Sequence, residues 1–189
     1  AQRNSLANPV DIVIDPARSL AFVASLGANR VGALNAGNGA VVGRVEVGRG
    51  PRGLALHAPS NRLYVLNRTD MSISQIDVTS TSAMTVVDTL NLFNPEPPSV
   101  TVGRDFLYST RVSNNFASSC AVCHIDAELD HRAWDLGDPA GDLQPASPNL
   151  IDQQTGEPLM NHPIKGAMVT QSLRGLQNHA HFHWRGDRV

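Results

Sequence analysis

Two cysteines and a histidine lie side by side in this chain of 189 residues. Cys120, Cys123 and His124 form the run Cys-Ala-Val-Cys-His, which has the C-x-x-C-H spacing of a haem-attachment motif. Two intervening residues place both thiols on one turn, where each can form a thioether with a vinyl group of the same porphyrin. The imidazole that follows can then lie under the iron. The motif therefore predicts one covalently bound haem c, with His124 as the proximal iron ligand.

Two other chemistries use a pair of cysteines at this spacing. A thioredoxin-type dithiol follows a strand in a βαβ unit, and the sequence shows no such unit. A tetrahedral zinc site needs two further Cys or His ligands. The chain has no other cysteine, although His179, His181 and His183 could in principle complete such a site. The spacing and the cysteine count favour haem over both alternatives.

The ligand on the other side of the iron decides what a haem can do. An electron-transfer haem takes a second His or Met, whereas a peroxide-activating haem keeps that position open or easily vacated. His162 and Met168 lie on either side of Gly166 in a segment that also contains Pro163. Both are candidate distal ligands, and a methionine would give the haem a higher reduction potential.

Other side chains in this half of the chain are candidates for cofactor contacts. Arg174 is a natural partner for a haem propionate, because guanidinium binds a carboxylate through two parallel hydrogen bonds. Trp184 and Trp134 are expected to pack on the porphyrin. Six carboxylates could hold Ca²⁺, which prefers oxygen ligands, although a solvated surface is the favoured interpretation. They are Asp126, Glu128, Asp130, Asp135, Asp138 and Asp142.

The residues that precede the haem motif contain an internal repeat. Pro9 and Pro51 open two similar segments, in which Phe22 and Tyr64 occupy matching places. A period in the low forties, built from short β-type runs, is typical of propeller blades. The predicted strands lie near 10–15, 20–25, 29–34 and 40–47 in the first copy, and near 53–57, 62–67, 71–78 and 84–90 in the second.

These residues carry two family resemblances. The run Leu63-Tyr-Val-Leu-Asn67 resembles the repeat of YVTN-type β-propellers, with leucine in the threonine place. The segment Gly103–Ser113, the haem motif and the closing run His183-Trp-Arg-Gly-Asp-Arg188 resemble the bacterial di-haem cytochrome c peroxidase superfamily. The dissociable distal His of those peroxidases precedes a glycine loop. This resemblance implies His162 as the distal ligand, with Met168 as the alternative.

The resemblances imply an α+β multidomain chain. About two β-propeller blades, a partial propeller, are expected at 1–98, followed by a mostly α-helical cytochrome c domain at 99–189. A closed propeller needs roughly four to eight blades, and the peroxidases carry two haems where this chain has one motif. We therefore expect a fragment or a processed form, with further blades and a second haem domain in the full-length chain.

Composition narrows the class of protein. The chain has 15 basic and 17 acidic residues, so its charge gives no reason to expect a nucleic acid partner. No run of residues approaches the roughly 18 apolar residues of a membrane-spanning helix. Two cysteines are too few for a disulfide-rich scaffold.

The expected function is electron transfer by a c-type haem, to or from a redox partner protein or electron donor. In the full-length chain peroxide is a possible terminal substrate, which would make the protein an oxidoreductase. The alternative is a propeller-based binding module in which the haem is a structural or sensing element. Because haem c is attached outside the cytoplasm, the expected location is the periplasm or the cell surface.

Overall fold

Short antiparallel strands make up most of the chain. The structure is a computed structural model, and it divides into two compact units, Ala1–Val122 and Cys123–Val189. It describes residues 4–113, 116–135, 137–138, 140–145, 151–162 and 167–176.

The first unit contains two four-stranded sheets, each with its strands in chain order. The first sheet consists of β1 (Pro9–Asp15), β2 (Leu20–Ser25), β3 (Arg30–Asn35) and β4 (Val41–Glu46). The second consists of β5 (Pro51–His57), β6 (Arg62–Asn67), β7 (Ser72–Asp77) and β8 (Thr85–Asn91). All neighbouring strands are antiparallel. A four-stranded antiparallel meander is the architecture of a propeller blade. The eight strands predicted from the repeat are confirmed, with their ends placed to within two residues.

Tight turns allow the strands to reverse direction. Ser19, Asn29 and Asn61 adopt left-handed backbone angles, with φ of 52°, 54° and 50°. Asparagine tolerates this region better than most residues because its short side chain can hydrogen-bond locally. Asn29 also accepts a hydrogen bond through its side-chain oxygen from the Gly50 N–H, at 2.9 Å. That bond ties a turn of the first sheet to the start of the second.

The core of the first unit lies between the two sheets. Phe22 and Val31 of the first sheet are completely buried, as are Leu63, Val65 and Ile76 of the second. Alternation along β6 explains the pattern, because successive side chains of a strand point to opposite faces. Leu63 and Val65 face the core, whereas the intervening residue Tyr64 is 37% exposed. The repeat in the sequence therefore produces two blades that bury their facing sides against each other.

The asparagine of the YVTN-like run has a structural role. Asn67 is completely buried at the end of β6. Its side-chain nitrogen donates to the hydroxyls of Ser72 and Ser74 on β7, at 3.0 and 2.8 Å. A buried amide nitrogen needs hydrogen-bond acceptors, and these two bonds link β6 to β7. The matching residue in the first copy, Ser25, instead donates to the Ala7 carbonyl at 2.6 Å.

Helix α1 (Pro98–Tyr108) follows the second sheet. Its proline at the first turn is suited to a helix start, where the missing N–H has no helical partner. Glu96, just before the helix, pairs with Arg104 of the helix and with Arg68 at 2.9 Å. Arg104 and Arg68 lower the pKa of the Glu96 carboxyl to about 2. The segment Gly103–Tyr108, which carries part of the peroxidase resemblance, is thus helical.

The expectation of a mostly α-helical cytochrome c domain is wrong. Within the described part of residues 99–189, α1 is the only α-helix, and it is continuous with the blades in the first unit. The rest consists of single 3₁₀ turns, loops and two small sheets. In those sheets β9 (Ala133–Asp135) pairs with β12 (Ala167–Val169), and β10 (Gln144–Pro145) pairs with β11 (Met160–Asn161).

Local backbone conformation explains the missing helices. Asp126, Ala127 and His131 all have left-handed angles, with φ of 51°, 66° and 56°. Residues in that region interrupt a right-handed helix. Gly, Pro and Asp, which favour turns, are frequent in the residues that follow. The described part of the chain is therefore mostly β, and it contains no helix long and apolar enough to cross a membrane.

The position of the core predicts that two leucine substitutions lower the free energy of unfolding by different amounts. Leu63→Ala removes a completely buried side chain and should lower the free energy of unfolding by about 2–5 kcal/mol, because it loses apolar burial and leaves a cavity. Leu90→Ala is the matched control, since Leu90 lies on β8 and is 60% exposed. It should cost less than about 1 kcal/mol. Urea denaturation measures both values, and equal losses would contradict the assignment of the core.

Candidate haem-attachment site

Cys120 lies at the end of the first unit. It opens a single 3₁₀ turn, Cys120–Val122, and its side chain is exposed with a free thiol. The preceding Ser119 is buried, and its hydroxyl accepts a hydrogen bond from the side-chain nitrogen of Asn8 at 2.6 Å. The chain before β1 therefore fixes the residue before Cys120, while the thiol itself stays accessible to a reagent or a cofactor.

Cys123 and His124 open the second unit. Cys123 is half-buried, with a free thiol. The Nδ1 atom of His124 lies 2.8 Å from the backbone oxygen of Gln171. A carbonyl oxygen can only accept, so Nδ1 must carry the proton and donate it. The other ring nitrogen, Nε2, then has its lone pair available.

Two further contacts hold the Gln171 segment beside the motif. The Leu173 N–H donates to the Ala127 carbonyl at 2.8 Å, and the Ser172 hydroxyl lies 3.4 Å from the same oxygen. Ala127 ends the 3₁₀ turn Ile125–Ala127 that begins directly after His124. The carbonyl that orients the imidazole is therefore anchored to the turn that follows the motif.

These residues fit a covalent haem. Attachment requires two unpaired thiols, and both cysteines are free. Metal-bound histidines almost always donate their second ring N–H to a carboxylate, a backbone carbonyl or a water. The bond from His124 to Gln171 has that form and leaves Nε2 available for a metal. Nothing in the C-x-x-C-H spacing points to Gln171, which lies 47 residues beyond His124.

His162, the first candidate for the distal ligand, is held by a carboxylate. Asp135 Oδ2 lies 2.6 Å from His162 Nδ1 and accepts from the His162 backbone N–H at 2.9 Å. The backbone N–H bond from His162, together with that from Gly137, lowers the pKa of the Asp135 carboxyl. With Nδ1 engaged, Nε2 is again the nitrogen available for a metal. The sequence placed Asp135 among possible calcium ligands and gave no sign of this pairing.

Met168, the alternative distal ligand, lies on β12. Its Cα pairs with that of Trp134 on β9, and the neighbouring pair is Ala167 with Asp135. Directly opposite residues share a face of the sheet, and successive residues alternate. Met168 therefore shares a face with Trp134, whereas the carboxylate that holds His162 is on the other face. Met168 and the Asp135 carboxylate that holds His162 thus lie toward opposite faces of this small sheet.

The other candidate contacts have local partners or lie outside the described residues. Arg174 is 69% exposed, and its Nε donates to Glu128 Oε1 at 2.6 Å. Such a surface pair is worth about 0–1 kcal/mol, so it would not prevent Arg174 from binding a propionate. The Trp134 indole donates to Asp130 at 2.7 Å. The remaining candidates, Trp184 and the histidines His179, His181 and His183, lie outside the described residues.

The acidic run shows local hydrogen bonding. Glu128 pairs with Arg174, Asp135 with His162, and Asp138 accepts from the Ala140 N–H at 3.0 Å. Among the residues that the structure describes, no three His, Cys, Asp or Glu side chains come together in a way that could hold a metal ion. Calcium binding stays a prediction from the sequence.

Comparison with known proteins assigns the chain to no family. No family model matches the chain, and no curated protein matches it. Neighbours of known structure are β-propeller proteins, and neither a cytochrome c domain nor a YVTN repeat is shown among them. Hydrazine synthase of Kuenenia stuttgartiensis is 23% identical, with 48% of this chain and 25% of that chain covered and a TM-score of 0.43.

Two further structures have similar scores. BamB of Moraxella catarrhalis is 19% identical, with 46% of this chain and 24% of that chain covered and a TM-score of 0.39. The β-propeller domain of Cps50 (Swd1) of Myceliophteria thermophila is 15% identical, with 44% and 29% covered and a TM-score of 0.39. The chain thus spans 24% to 29% of the length of these three structures. Because the TM-scores are below 0.5, the blade assignment rests on the strand order and register of this chain.

The different exposure of the two thiols predicts their order of reaction. In the reduced chain without haem, Cys120 should be alkylated several-fold faster than Cys123, because Cys120 is exposed and Cys123 is half-buried. Iodoacetamide labelling followed by peptide mass spectrometry measures both rates, with Cys120→Ser as the control that identifies the slower thiol. Faster modification of Cys123 would contradict the described geometry.

Proposed function

We propose that this chain binds one haem c covalently and serves in electron transfer. The observation that carries the proposal is the state of His124 within the C-x-x-C-H motif. Its Nδ1 proton is committed to the Gln171 carbonyl, so that Nε2 is available to iron. Both neighbouring cysteines are free to form thioethers.

Attachment follows from ordinary thiol chemistry. The thiol of Cys120 adds across the double bond of one vinyl group, and the thiol of Cys123 adds to the other. In each addition a carbon–sulfur bond forms, and the thiol proton goes to the adjacent vinyl carbon, so no oxidant is consumed. A disulfide between the two cysteines would block the reaction. Bound haem would supply an iron that gains and loses one electron.

The residues around the motif would set the properties of the site. The Gln171 carbonyl accepts the Nδ1 proton of His124, and such a partner makes the ligating nitrogen more basic. Asp135 holds Nδ1 of His162 in the same way, with a carboxylate in place of a carbonyl. We therefore assign His162 as the distal ligand in preference to Met168. Arg174 would bind a propionate after exchanging its exposed pair with Glu128.

The role in the cell follows from the cofactor. A haem c protein passes electrons to a redox partner protein or takes them from a donor, and the attachment chemistry places it in the periplasm or on the cell surface. A second haem domain in a full-length chain would allow peroxide reduction, as in the superfamily that the sequence resembles. Because the chain spans about a quarter of hydrazine synthase, these statements on the whole protein are part of the proposal.

A binding module built on the blades is the second candidate function. Ile12 and Ile14 of β1 are 58% and 57% exposed, and Tyr64 and Leu66 of β6 are each 37% exposed. Apolar side chains at the free faces of both sheets favour contact with other protein surfaces. In that case the haem would be a structural or sensing element. Electron exchange with a soluble donor separates the two functions, because only the first requires it at a useful rate.

Covalent attachment is tested by expression together with a haem c maturation system. The purified protein should give the pyridine haemochrome spectrum of a haem with two thioethers. It should also keep its colour after extraction with acidified acetone. Cys120→Ala should give the spectrum of a single thioether, and Cys120→Ser/Cys123→Ser should lose all haem on extraction. Extraction of haem from the unaltered protein would refute the proposal.

The distal assignment is tested by two substitutions in the haem-loaded protein. His162→Ala should shift the Soret band and change the spin state, because iron loses a strong ligand. Met168→Leu, which keeps an apolar side chain of similar size, should leave the spectrum unchanged. The reverse pattern would assign Met168. If neither variant changes the spectrum, the assignment of His162 is wrong.

A further inference from the structure

A cavity of about 340 Å³ lies in the first unit, and neither cysteine of the motif is among its lining residues. Its size is at the lower end of the range for small-molecule sites. It lies where β3 begins and β4 ends, beside the turn that follows α1. Six residues line it: Ala28, Arg30, Glu46, Thr110, Arg111 and Phe116.

The charged groups of the cavity converge on one oxygen atom. Arg30 and Glu46 are directly opposite each other on β3 and β4, and Arg30 Nη2 donates to Glu46 Oε1 at 3.0 Å. Arg111 Nη2 lies 3.6 Å from the same oxygen. Two guanidinium groups therefore flank the position of a single carboxylate oxygen, and the lining carries one more positive than negative charge.

The carboxylate at this position is held loosely. The side chain of Glu46 is 63% exposed, whereas that of Arg30 is only 17% exposed. Exposed ion pairs contribute little to stability because water and salt screen them. A carboxylate with both oxygens placed between the two arginines can form paired hydrogen bonds, which are stronger and more directional. Glu46 can thus be displaced, while Arg30 stays in place.

The fold fixes the other walls of the cavity. Thr110 is buried, and both its N–H and its hydroxyl donate to the Gly27 carbonyl, at 2.8 and 2.9 Å. This clamp sets the backbone of Arg111 beside the first blade. A side chain at Gly27 would come within 2.9 Å of the Thr110 methyl group, so the close approach needs glycine.

The aromatic wall is held in an uncommon conformation. Phe116 has φ of 54°, in the left-handed region that bulky residues rarely adopt. The Ser5 hydroxyl donates to its carbonyl oxygen at 2.8 Å, which helps to hold the backbone there. Phe116 and Ala28 are the apolar residues of the cavity lining. Residues with a strained backbone persist where surrounding contacts hold them in place, and they are common at ligand sites.

We infer that this cavity binds a carboxylate attached to a small apolar body, with the carboxylate between Arg30 and Arg111 and the apolar part against Phe116. The carboxylate could belong to a free organic acid or to a propionate of the proposed haem. The inference does not depend on haem attachment, because every residue that lines the cavity belongs to the first unit.

The test uses benzoate as the probe, with benzamide as its neutral counterpart. Calorimetry on the reduced full chain should show saturable binding of benzoate and none of benzamide. Arg111→Gln should weaken benzoate binding at least about tenfold, because a charged hydrogen-bond partner is lost.

Glu46→Gln should tighten benzoate binding several-fold, because it removes the carboxylate that competes for the two arginines. Arg52→Gln is the control, since Arg52 is exposed on β5 and lies outside the cavity lining.

A comparison with the haem-loaded protein separates the two sources of the carboxylate. If a free acid is the ligand, benzoate should bind equally to the haem-loaded protein and to Cys120→Ser/Cys123→Ser. If a propionate occupies the cavity, benzoate should bind only to the haem-free variant. The inference is overturned if benzoate binds to neither protein, if benzamide binds as well as benzoate, or if Arg111→Gln and Arg52→Gln behave alike.

Discussion

Apolar contact between the two sheets is the interaction on which the described structure depends. A single four-stranded sheet of this length has two faces and cannot bury both by itself. Phe22 and Val31 of one blade meet Leu63 and Val65 of the other, and all four are fully buried. The turns of the paired sheets and the helix that follows them are then held by contacts to the blades. Thr110 and Arg49 illustrate this dependence, because each joins the α1 region to a loop of a blade.

The residues of the proposed chemistry are supported by contacts within each unit. The first unit supplies the Cys120 thiol and a cavity with two arginines, both supported by contacts to the chain around the first blade. The second unit supplies the Cys123 thiol and an imidazole whose protonated nitrogen is fixed by the Gln171 carbonyl. That bond leaves Nε2 of His124 available, which is the nitrogen that the proposed haem iron would bind. It is also independent of whether the surrounding residues form helices.

Local and periodic features could be predicted from the sequence, and contacts between distant residues could not. The alternation of Leu63, Tyr64 and Val65 gave strand β6 and its buried face, and the spacing of Pro9 and Pro51 gave the repeat. The prediction of a helical domain was wrong. It rested on a family resemblance, whereas residues such as Asp126 favour turns. The pairing of Arg30 with Arg111 around Glu46 has no signature in spacing, since β3 and the turn after α1 meet only in the fold.

Covalent haem at Cys120 and Cys123 is the central claim, and mass spectrometry of the denatured protein tests it most directly. After expression with a maturation system, the intact chain should be heavier by the mass of one haem. Proteolysis should place that mass on the peptide that contains Cys120, Cys123 and His124. A chain of unmodified mass with two alkylatable thiols would contradict the account.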